Sequence, residues 1–127
     1  MPIQKQRENS LIMRPIVVSL IALTWCLASS AFAAGAASNV QVLSVRVDSD
    51  GRGVITFVAN LGGSPPTCVI SAYTASVAVD TNTAGGKSAV ATALAAKASG
   101  YSVTVYGLGT CSIYGSYVED MNYMVAQ

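Results

Sequence analysis

The chain has 127 residues, a formal net charge of +1, only 10% charged residues and no histidine. So few basic groups leave no stripe that could replace the counterions along a phosphate backbone, which argues against nucleic acid as a partner. Without histidine the commonest general base and the commonest metal ligand are gone, so neither an enzyme nor a metal or cofactor site is expected.

The first quarter reads as a targeting segment. Residues 1–10 are polar and charged, Met13-Arg14 follow, and residues 16–28 form an apolar run of 13. Ser29-Ser30-Ala31-Phe32-Ala33 then offers an A-x-A site ahead of Ala34. A basic start, a short apolar centre and small residues at a cleavage site describe a secretory signal peptide. A membrane anchor would need about 20 apolar residues. The long polar leader makes Met13 an alternative start, and Cys26, inside the apolar run, would leave with the signal. The expected division is thus 1–33 as signal and 34–127 as a single domain, secreted or periplasmic.

That domain carries Arg46, Arg52, Lys87 and Lys97 against Asp48, Asp50, Asp80, Glu119 and Asp120, a net charge of −1. Its two cysteines are Cys68 and Cys111. In a small exported domain such a pair is usually a disulfide, and neither a CxxC nor a histidine favours a metal or a reactive thiol. Closing that loop is worth about 4 kcal/mol by chain entropy. This is a large share of the ~5–15 kcal/mol typical of a whole domain.

Residues 34–38 are small and read as a flexible terminus. Residues 39–47 (NVQVLSVRV) form a first strand whose apolar phase switches between Val42 and Leu43, which predicts a bulge and a curl. The aspartate- and glycine-rich stretch 48–53 closes a hairpin, and 54–59 (VITFVA) is the second strand. After a loop at 60–66, residues 67–80 read as a long third strand. Residues 87–99 are rich in Ala and Leu and are followed by Gly100, which predicts a helix of about three turns. Its expected apolar face is Val90, Ala91, Leu94, Ala95 and Ala98. Residues 101–107 make the fourth strand, with Tyr101, Val103 and Val105 on one side and Ser102, Thr104 and Tyr106 on the other, and a fifth begins at Cys111. Strand, strand, strand, helix, strand, strand is the order of the OB-fold, so the predicted class is mainly β, a small five-stranded OB-fold-like barrel with one helix.

Little in the domain suggests chemistry. Glu119 and Asp120 are adjacent, so on a strand they face opposite ways and cannot act as a pair. Turn formation accounts for Asp48 and Asp50, because the glycine of a calcium loop would come later and no closing glutamate follows. Gly107-x-Gly109 precedes no helix, and reads as a tight turn that brings Cys111 to its partner. The tyrosines are the most suggestive group. Tyr73, Tyr106, Tyr114, Tyr117 and Tyr123 are candidate ligand or interface residues, since tyrosine offers a flat apolar face and a hydroxyl. Packing at the rim of the core is the competing role for them.

The signal through Ala33, the Cys68 and Cys111 pair, the helix at 87–99 and the segment VTVYGLGTCSIYGSYVED together resemble small exported bacterial proteins related to the B subunit of subtilase cytotoxin and, more loosely, the B subunits of pentameric toxins. The resemblance implies an OB-fold, an intrachain disulfide, a homo-oligomer of five and glycan binding; no sugar-binding residue can be matched to a position here. The expected function is an exported, non-enzymatic binding module with a glycan or protein ligand. The alternative is a structural, self-assembling subunit without a small ligand.

Overall fold

The computed structural model describes residues 34–127; the expected signal segment, with Met13 and Cys26, lies outside the described residues. Seven strands and one helix follow one another: β1 (Gly35–Val40), β2 (Val42–Val47), β3 (Arg52–Phe57), β4 (Gly62–Gly63), β5 (Ser76–Asp80), α1 (Ala84–Ser99), β6 (Val103–Gly107) and β7 (Glu119–Ala126). They form one sheet in the order β2-β3-β5-β7-β6-β1-β4. Every pairing is antiparallel except β5 with β7.

The protein is therefore mainly β with one helix, as expected, but the sheet has seven strands and is open, where a five-stranded barrel was anticipated. Three local causes account for the difference. The first strand is split. Asn39 adopts a positive φ of 53°, the register slips between Ala37 and Val40, and it slips again between Val42 and Ser44. The expected bulge is thus present, at the start of β2, and a break at Gln41 just before it divides the strand into β1, paired with β6, and β2, paired with β3. A further strand, β4, adds two glycines beside β1. Residues 34–38, expected to be flexible, are instead largely strand, because β1 starts at Gly35 and Ser64 N–H donates to Ala34 O at 3.1 Å.

The third strand is also shorter than expected. Only Ser76–Asp80 is strand, and residues 71–73 form a 3-10 turn. The apolar side chains of 67–75 look like a strand locally, but this segment is drawn away from the sheet. Cys68 is bonded to Cys111, and Ile70 N–H donates to Tyr117 O at 3.1 Å. The last strand starts at Glu119, not at Cys111, because Asp120 captures the N–H groups of Ser112 and Ile113 and bends 111–113 into turns.

The helix begins at Ala84. Thr83 Oγ1 accepts from Gly86 N–H at 3.0 Å as N-cap, and Gly100 ends the helix with φ of 73°. Its buried face is Gly86, Ala89, Ala93 and Ala96, while Leu94 is half exposed. The expected face, with Leu94 at its centre, is therefore rotated. Clearance decides this: a Cβ at Gly86 would run into the Asp80 carbonyl, so only the smallest side chains fit between α1 and the sheet.

Beneath the helix lies the main core of Val40, Val42, Ile55, Phe57, Leu61, Val77, Val79, Val103 and Val105. Each such side chain, fully buried, contributes about 1.5–3 kcal/mol by transfer from water. Alternation along β3 and β5 sends Val54 and Ala78 to the other face. There they meet Val118, Tyr73, Ile113 and Tyr114 in a smaller cluster.

Candidate functional site

Glu119 and Asp120 do face opposite ways, and each binds backbone. Glu119, 1% exposed, accepts from Gly35 N–H at 2.9 and 3.0 Å and from Gly109 N–H at 3.0 Å. Gly107 must be glycine, because a Cβ there would occupy the space of the Glu119 carboxylate. The Gly-x-Gly turn thus serves Glu119 as well as the approach to Cys111. Asp120 accepts from Thr110 Oγ1 and Ser112 N–H, both at 2.7 Å, and from Ile113 N–H at 3.0 Å. Both carboxylates hold loops in place.

The tyrosines separate into two groups. Tyr114 and Tyr73 help fasten the loop at 108–118 over the outer face of β2, β3 and β5. The Tyr114 hydroxyl donates to Asp48 Oδ2 at 2.6 Å. The guanidinium groups of Arg46 and Arg52 lie 5.8 and 4.7 Å from its ring centroid, within cation–π range. Burial first, and the bond to Asp48 second, push the Tyr114 hydroxyl above the ordinary phenol range. The side chains of Tyr114 and then Tyr73 raise Arg46 above its usual value. Asp50 is held below the usual carboxylate range, chiefly by the Arg52 backbone N–H, and it pairs with Arg52 Nε at 2.6 Å. Asp48 and Asp50 therefore serve the hairpin and the loop above it.

Tyr106 and Tyr123 are different. They are directly opposed across the β6–β7 ladder. Their rings stack at a centroid distance of 4.7 Å and an interplanar angle of 25°, and they are 37% and 48% exposed. Tyr117 is exposed by itself and joins neither group.

Tyr123 also borders a cleft of about 500 Å³. The cleft forms because the parallel β5–β7 ladder has only two partner pairs, Val77 with Glu119 and Ala78 with Asp120. Beyond them the two strands part, β5 continuing to Asp80 beside β3 and β7 beside β6, and the start of α1 forms the facing wall. Thr83, Ser88 and Thr92 supply hydroxyls from that wall, and Asn122 supplies an amide from β7. Met121 and Met124 give the cleft an apolar, adaptable floor. Of these lining residues only Tyr123 carried a sequence signal; Asn122 and the threonines did not, because their role depends on where β7 parts from β5. The cleft thus joins an apolar floor to hydroxyl and amide groups, with Asp80 also in its lining.

Compared with known proteins, the chain matches no family model, no curated protein and no solved structure.

Proposed function

We propose that the chain is an exported, non-enzymatic binding module that takes a glycan, or a protein surface of similar character, at the Tyr106–Tyr123 stack and the adjoining cleft. The observation that carries this reading is an exposed pair of stacked rings beside a cleft lined by hydroxyl and amide groups, with one carboxylate, Asp80, among them. Carbohydrates present an apolar C–H face to an aromatic ring and hydroxyls to its polar surroundings. Several features support the rest of the reading. The disulfide and the A-x-A site ahead of Ala34 fit export, and no helix among the described residues is long and apolar enough to cross a membrane. If β1 and β2 are counted as one bent strand and β4 is set aside, the chain order is that of the OB-fold, here with an open sheet. This keeps a relationship to the toxin B-subunit-like proteins as part of the proposal.

The test is a glycan and glycoprotein array probed with the exported, oxidised protein, followed by NMR titration of each hit. Binding should shift the ring signals of Tyr106 and Tyr123, and Tyr123→Ala should abolish it. No binding, or binding that leaves those rings unmoved, would reject the assignment.

A second reading, self-assembly into a homo-oligomer such as a pentamer, draws on one further observation. Tyr101, Leu108 and Val125, close in sequence to the tyrosine pair, are also about half exposed or more. Light scattering tests it: a monomer at millimolar concentration would dismiss this alternative.

A further inference from the structure

Glu119 is the largest polar side chain in the interior. It is wrapped by backbone: Gly35 N–H donates to both carboxylate oxygens, Gly109 N–H donates to one, and a Cβ at Gly35 or Gly107 would collide with it. The ion pairs among the described residues are Arg46–Asp48 and Arg52–Asp50, so no described lysine or arginine balances this carboxylate. A buried carboxylate held by neutral donors alone is costly, and a cation beside it offsets that cost. The residue next to its main donor is Ala34. Covalent geometry keeps the Ala34 nitrogen within roughly 3.6 Å of the Gly35 nitrogen. The Ala34 carbonyl is itself held by the N–H of Ser64, just after β4, and the next residue, Gly35, is held by Glu119.

We propose that cutting the chain between Ala33 and Ala34 creates the missing cation: the new α-ammonium of Ala34 pairs with the buried carboxylate of Glu119, so that removal of the leader completes the fold. A signal peptidase adds water across the Ala33–Ala34 peptide bond. The carboxylate product departs with the leader, and the released amine takes up a proton. An α-amine with an ordinary pKa of about 7.7–8.0 is mostly charged at neutral pH. Before cleavage the same nitrogen is a neutral amide. This inference rests on the export reading, and it turns the Ala-Gly start of the mature chain into a binding element: Ala34 supplies the charge, and Gly35 leaves room for the carboxylate.

The experiment expresses the full chain, leader included, in an exporting bacterial host. Mass spectrometry of the product locates the cut. A product that is uncut or cut elsewhere overturns the export reading and the ion pair with it. With the cut at 33/34, four proteins are compared by urea unfolding: native or Glu119→Gln, each with its own terminus or with Gly-Ser inserted ahead of Ala34. The extension should lower the midpoint in the native background and leave it nearly unchanged with Glu119→Gln. An unchanged midpoint in the native background overturns the pairing while leaving export intact. Should Glu119→Gln fail to fold, acylation of the α-amine decides. At pH 7 it should be roughly tenfold slower in the folded native protein than in urea, the effect of one unit of raised pKa. Equal rates would refute the pairing.

Discussion

The backbone N–H of Gly35 reaches the carboxylate of Glu119 across 84 positions of sequence, so the first strand of the described domain is tied to the start of its last. Removing the acceptor leaves the buried N–H of Gly35 and the partly buried N–H of Gly109 unbonded. Glu119→Ala should therefore cost about 3 kcal/mol. Urea denaturation at pH 7 measures it, and a loss under about 1 kcal/mol would show that the cradle is not a stabilising anchor.

Two glycines should respond in opposite senses to alanine. Gly107→Ala drives a methyl into the Glu119 carboxylate and should cost about 2 kcal/mol or more. Gly85, in the first turn of α1, has open space where its Cβ would stand. Gly85→Ala should stabilise by roughly 0.5–1 kcal/mol, because the unfolded chain loses freedom that the helix does not use. Thermal melts of the two variants provide the comparison.

The disulfide anchors a segment that has few other ties. Replacing Cys68 and Cys111 by serine should lower stability by about 3–4 kcal/mol. The loss should also be regional. Amide exchange at Ile70, whose partner is Tyr117 O, should quicken well before exchange at Ile55 and Val77, which lie in the ladder between β3 and β5. Equal loss of protection at all three would mean that the segment and the sheet open together.

Tyr114 gives the alkaline limb of the stability curve a specific source. Its hydroxyl titrates above the ordinary phenol value of about 10 in the folded protein, from burial and from the bond to Asp48. A group whose folded value is raised contributes stability in full below its unfolded value, and that contribution is lost as pH climbs through the folded value. Stability should accordingly fall above about pH 10. Tyr114→Phe should be less stable at pH 8 by about 1 kcal/mol, for the lost hydrogen bond. It should also decline less between pH 9 and pH 11 than the native protein, as followed by denaturant midpoints across that range. An identical decline would assign the effect to other groups.

What could be read from the sequence was set by how local its causes are. The β-branched run at Val54–Thr56 and the alternation of Val103 and Val105 specify strands by themselves. Gly100 marks the helix end because few other residues accept its backbone angles. The phase change at Val42-Leu43 also reported the bulge. The orientation of α1 was hidden, because Leu94 gives way to Ala93 only once Gly86 has brought the helix against the Asp80 carbonyl. Val69 and Ile70 resemble strand residues, and contacts to Cys111 and Tyr117, more than 40 positions away, override that preference. The same holds for the candidate site. Tyr106 and Tyr123 were visible as residue types, but their stacking depends on the register of β6 with β7. The cleft beside them depends on where β7 leaves β5.

A single residue, Gln41, separates β1 from β2, yet the two strands find partners in different halves of the chain. As the polypeptide is synthesised, β2, β3 and β5 can pair soon after they emerge. β1 is made before any of them and has no long partner until β6 appears, and no grip on a carboxylate until Glu119 follows. The first strand of the described domain is thus the last to find its place, and such non-local closure is intrinsically slow. An order of assembly of this kind leaves the leading edge of the sheet open while the rest is built, and defers its locking until nearly all of the chain has been made.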